Sequence, residues 1–256
     1  MIDLPAEELR SLITEFNERA DKLGCVVIEG EIECDRTVVI FAGNLERFHM
    51  LSAAQTLKCK VVYVQDPESG WYQGSCLIPE LSVFCQMFLK DEIGNKPALF
   101  FGQSSGAYAA LVASTYFPGS TVVACAPQTR SDSAVKTKVH FAGIRPLATP
   151  DDLIDVRARL IEASDPHAST TIVMAVGEAD NPVHAHFWMD YFHGLHVWDL
   201  PNVGVSIVNS NSHAVVHRNV RAYADLLSEL AAELSAPVAR RNAITREFLD
   251  RTYSKP

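Results

Sequence analysis

The chain has 256 residues, 48% hydrophobic and 21% charged, the balance of a soluble globular protein rather than a disordered or low-complexity one. Lys and Arg number 22 against 31 Asp and Glu, a net charge of −9. With no basic run, that excludes the electrostatic footprint of a nucleic-acid or anionic-membrane binder. No stretch reaches the roughly 18 apolar residues of a spanning helix. The acidic opening MIDLPAEELR lacks the basic and apolar regions of a secretory signal. The six cysteines form no CxxC pair and lie mostly in or beside apolar segments. Reduced, buried thiols in a cytoplasmic protein are the expectation.

The elements begin with a helix. Leu9, Leu12, Ile13, Phe16, Ala20 and Leu23 recur at three- and four-residue steps, which makes one apolar stripe. Pro5, Glu7 and Glu8 suit its first turn and Gly24 its stop. Short β-branched runs follow at 25–30, 37–43, 60–66, 98–103, 121–127, 170–176 and 205–210. Helix-length stretches separate most of them, at 46–58, 77–91, 105–117, 150–164, 183–193 and 214–234. Strand runs apolar on both faces, alternating with helices, predict a mainly parallel sheet flanked by helices on both faces. Residues 127–149 are the longest irregular part, long enough to roof a pocket but short for a cap domain. One more helix is expected over 238–253, where Arg240, Arg241, Arg246 and Arg251 read as a solvated polar face. Residues 1–256 are thus expected to form one α/β domain, with an N-terminal helix within 1–24 and a C-terminal helix and tail in 238–256.

The sharpest local signal is Gly102-Gln103-Ser104-Ser105-Gly106. A G-x-S-x-G pentapeptide alone is weak. Here the apolar run ALFF precedes it and the small-residue helix AYAALVASTYF follows. Strand, sharp turn and helix are the context of a nucleophile elbow, in which the serine is strained and lifted above the sheet. Side chains two positions either side of it would collide with the neighbouring strand and helix, and glycine removes them.

On these residues and the order of elements over about 25–235, the chain resembles the α/β-hydrolase family. The resemblance implies a serine nucleophile, an acid after a later strand and a histidine after the last strand. The matching positions are Ser104, then Asp180 just past the strand TTIVMAV, then His213 in the loop NSNSHAVVHR. Glu178 is the alternative acid. His217, one turn on, is read as surface or as a residue behind the base. In these roles His213 deprotonates the serine, and Asp180 holds the imidazole's tautomer and stabilises its charge. The oxyanion would be met by the Ser105 backbone N–H and by a second donor after an earlier strand, assigned by position to Asn44. Many family members carry His-Gly where this chain has Ala42-Gly43.

Trp71 and Tyr72, in a loop on the same sheet edge, and Gln103, inside the elbow, are the expected substrate contacts. His184, His186, His193 and His196 have no standard zinc spacing, so no metal and no cofactor is expected. The expected activity is hydrolysis of a small-molecule ester or thioester through an acyl-serine. Acyl transfer by the same triad and a non-catalytic binding protein on this fold are the alternatives. A metal-dependent hydrolase built on the histidine-rich segment would lose activity to a chelator. The oligomeric state is not encoded in any pattern found.

Overall fold

A computed structural model describes residues 11, 14, 15, 23–30, 35–43, 48–68, 70–131, 153–175, 185–210 and 212–253. The strands are β1 (Cys25–Ile28), β2 (Thr37–Phe41), β3 (Lys60–Val64), β4 (Leu99–Gln103), β5 (Thr121–Cys125), β6 (Ser169–Ala175) and β7 (Val203–Val208). Among the described residues they form a seven-stranded sheet in the order β1-β3-β2-β4-β5-β6-β7. Among the described strands only β1 runs antiparallel, pairing Cys25–Ile28 with Val64–Val61; the other pairs are parallel.

The helices among the described residues are α1 (81–93), α2 (Ser105–Ser114), α3 (Val156–Ala163), α4 (Ala185–Leu195), α5 (Val220–Ala232) and α6 (Val238–Tyr253). Helix α1 has three parts: α-helix at Leu81–Phe84, one π-helical turn at Cys85–Leu89, and α-helix at Lys90–Ile93.

Strand alternation sorts the core into two layers. Val39, Phe41 and Phe100 face α1 and α2, while Val38, Ile40, Leu99 and Phe101 face α5 and α6. Leu99, Phe100 and Phe101 are fully buried, and each such side chain stabilises the fold by about 1.5–3 kcal/mol relative to exposure. Runs apolar at every position are thus what a strand covered on both faces requires. Helix α6 also inserts the buried Arg241. Its guanidinium donates to the Gly119, Ser120 and His167 carbonyls and to the Thr121 hydroxyl, tying together the starts of β5 and β6.

The chain order reverses at β2. From β2 it steps to β3 on one side, then returns to β4 on the other. A crevice opens beyond the carboxyl ends of the strands at such a switch point, and β4 delivers the elbow there.

Several elements depart from the sequence reading. The helix expected at 46–58 is one 3-10 turn, Leu51–Gln55, entered through Met50 at φ 57°. Residues 48–50 and 56 are turn or bend and 57–58 form no helix before Lys60 begins β3. The last long helix starts at Val220, not 214, because 215–218 turn first. His217 is exposed in that turn. Most of the expected N-terminal helix and residues 132–149 of the expected irregular segment lie outside the described residues. No helix among the described residues is long and apolar enough to cross a membrane.

Candidate active site

Ser104 sits between the end of β4 and the start of α2 with φ 57° and ψ −122°. Such a conformation costs a non-glycine residue about 1–3 kcal/mol and persists only when its surroundings hold it. They do so at both ends of the residue. Ser104 N–H donates to the Cys125 carbonyl at 2.8 Å, and its own carbonyl accepts from Ala107 N–H at 2.9 Å and Tyr108 N–H at 3.1 Å. A Cβ on Gly102 would lie 2.2 Å from the Gly106 carbonyl oxygen, and one on Gly106 would lie 2.4 Å from that of Phe41. The two glycines let strand β4, helix α2 and the end of β2 meet at backbone contact.

His213 reaches Ser104 from the loop after β7. Its Nε2 lies 3.1 Å from Ser104 Oγ, and its Nδ1 lies 2.8 Å from Asp190 Oδ2. The polarity follows from the acid. An ionised carboxylate only accepts, so Nδ1–H donates to Asp190 and the Nε2 lone pair accepts the serine hydroxyl. Asp190 is buried and His213 is partly open to solvent. Burial pushes the Asp190 carboxyl above its ordinary value, while the charge and hydrogen bond of His213 pull it down.

The carboxylate on His213 is therefore Asp190 of α4, where the sequence reading had Asp180. Asp180 and its alternative Glu178 lie outside the described residues. The two readings differ because a strand-end loop is the simpler place for an acid, whereas Asp190 is placed by helix rotation. Asp190, His193, Gly194 and Val197 are all buried, at the i, i+3, i+4, i+7 spacing of one helix face. That spacing was the available signal: an acid on the inward stripe of an aromatic segment needs a buried partner.

The other expected site residues divide. Ser105 is the first residue of α2, and the first N–H groups of a helix have no intrahelical partner. Its N–H is therefore placed to donate beside Ser104. Asn44 lies outside the described residues. Gln103 is not a surface for ligand. It is buried, and its Nε2 donates to the His213 carbonyl at 3.0 Å, linking the residue before the nucleophile to the loop of the base. Gln103→Glu removes that donor and buries an extra negative charge. It is expected to cost about 1–3 kcal/mol, read as a lower urea midpoint at pH 8.

Trp71 and Tyr72 are struts of the loop after β3, 5% and 1% exposed. Tyr72 N–H donates to Asp66 Oδ2, and its hydroxyl donates to the carbonyls of Ala42 (2.7 Å) and Val64 (3.3 Å). Trp71 Nε1–H donates to Gln128 Oε1 at 3.2 Å. Cys125, next to the elbow, is buried with its thiol pushed up to about 12. A thiol so rarely ionised is no nucleophile. Among the described residues no group of three or more His, Cys, Asp or Glu is placed to hold a metal ion. His193 and His196 are engaged with Thr129 and Asp155.

No family model matches the chain, and a comparison with curated proteins finds no match. Solved structures do resemble it. MenH from S. aureus has a TM-score of 0.52 at 10% identity, over 83% of this chain and 99% of that one. A capsule O-acetyltransferase of Neisseria meningitidis serogroup A has a TM-score of 0.51 at 13% identity, over 80% and 91%. FphF, a fluorophosphonate-binding serine hydrolase of Staphylococcus aureus, has a TM-score of 0.50 at 10% identity, over 88% and 91%. At these identities the likeness is one of architecture, and the fold is α/β-hydrolase-like.

Proposed function

We propose that the protein is a serine hydrolase that cleaves a small-molecule ester or thioester through an acyl-Ser104 intermediate. The observation that carries this is the continuous chain from Ser104 Oγ through His213 to Asp190, at 3.1 and 2.8 Å. A hydroxyl is a weak nucleophile until a base within hydrogen-bond reach takes its proton and a third group orients that base.

In this reading His213 Nε2 takes the Ser104 proton as Oγ attacks the carbonyl carbon. The oxyanion forms against the Ser105 N–H, with a second donor assigned to Asn44 after β2. Each such donor contributes about two to three powers of ten in rate. Asp190 offsets the charge of the imidazolium until it gives its proton to the leaving group, whose bond to the carbonyl carbon breaks and leaves the acyl group on Ser104. Water deprotonated by His213 releases the acid and restores the serine. Transfer to an alcohol would share the first half of this sequence, and competition between water and an added alcohol separates the two.

Intact mass after treatment with a fluorophosphonate tests the reading. One adduct is expected on the folded wild type and none on Ser104→Ala or His213→Ala. A folded wild type that takes no adduct would favour a non-catalytic binding protein on this fold.

A further inference from the structure

The acid of the proposed triad stands on a helix, so its aim depends on how that helix is rotated about its axis. We propose that Thr129 is a positioning residue that fixes this rotation through His193 and so aims Asp190 at His213. The proposal rests on the catalytic reading above.

Thr129 lies past β5, beyond Ala126 at φ 48°, and is fully buried. Its N–H donates to His193 Nδ1 at 3.0 Å, its hydroxyl donates to the His193 carbonyl at 2.9 Å, and its carbonyl accepts from Val156 N–H at 2.9 Å. Thr129 thus grips one helical residue by both ring and backbone, and is itself held by the start of α3. Because Nδ1 accepts, the His193 ring carries its proton on Nε2. His193 stands one turn beyond Asp190, on the same buried face of α4.

Further ties act on the chain just beyond α4. Arg157 Nη1 donates to the His196 carbonyl at 2.9 Å, and His196 Nε2 lies 3.0 Å from Asp155. These restrain the end of the helix but do not touch the turn that carries the acid.

A side-chain tip lies about 5–6 Å from a helix axis, so a roll of about 10° displaces it by about 1 Å. Misplacement by that distance can cost about a hundredfold in rate. Thr129 touches neither Ser104 nor His213 in any hydrogen bond of the site, so its effect passes through Asp190.

Turnover of an activated aryl ester and the rate of fluorophosphonate labelling test this. Thr129→Val is expected to lower kcat and labelling about tenfold to a hundredfold with KM within about twofold. Thr129→Ser keeps the hydroxyl and should restore most of the rate. In an Asp190→Asn background, Thr129→Val should cost less than about twofold, because the carboxylate it aims is gone. If Thr129→Val does not fold, His193→Asn and His193→Leu replace it. Asn still offers an acceptor to Thr129 N–H and should be the faster of the two. Wild-type turnover in folded Thr129→Val, equal rates in the two His193 variants, or an undiminished loss in the Asp190→Asn background would overturn the proposal. Failure of the wild type to label at all would instead overturn the catalytic reading, and this proposal with it.

Discussion

Asp190→Asn is expected to lower kcat by about four powers of ten while leaving the fold and KM nearly unchanged. The size follows from proton placement. Asp190 Oδ2 lies 2.8 Å from His213 Nδ1 and demands a proton on that nitrogen. An amide NH₂ in its place donates towards Nδ1, which shifts the imidazole proton to Nε2. His213 then turns a donor towards Ser104 Oγ and cannot take its proton. The imidazolium that forms during attack also loses its buried counter-charge. The check is ester turnover beside a denaturation curve. The large loss on Asp180→Asn and not on Asp190→Asn would return the role to Asp180.

The second large effect is on stability. Gly102→Ala and Gly106→Ala should each destabilise the protein by about 3 kcal/mol or more, at the upper end for overpacking. The added methyl carbons would lie 2.2 Å and 2.4 Å from backbone carbonyl oxygens. Backbone of a buried helix start or of a central strand cannot swing aside as a flexible side chain can. Soluble yield and urea midpoint report the cost, with Ser104→Ala, which adds no atom, as the control near wild type. Near-wild-type midpoints for both alanines would mean that β4, α2 and the end of β2 are not in backbone contact.

The features legible in the sequence are those set by near neighbours in the chain. The elbow could be read because its geometry needs glycine at fixed offsets from Ser104, whatever the rest of the fold does. Strands such as those at 38–41 and 61–64 could be read because burial on both faces leaves apolar residues at successive positions. His213 could be read from its place after the last strand. Asp190 could not be assigned that way, since its role depends on which face α4 turns inward. Gln103 reads as a ligand contact in sequence, and only the packing of the β7 loop against β4 shows it spent on the His213 carbonyl. Trp71 and Tyr72 likewise look like pocket aromatics until their polar atoms are traced to Gln128, Ala42 and Val64.

On the proposed mechanism, the separation of His213 from Ser104 along the chain has a consequence for synthesis. His213 follows Ser104 by 109 residues, and it is delivered by β7, at the far edge of the sheet from β1. At ribosomal speeds of about 5–20 residues per second, the elbow is made roughly 5–20 s before the histidine exists. Through that interval Ser104 has no base and is an ordinary alcohol, even if β2, β4 and α2 have already packed. On the proposed mechanism the nascent chain is therefore inert towards acyl groups, and Ser104 is armed only when β7 docks and brings His213 to it.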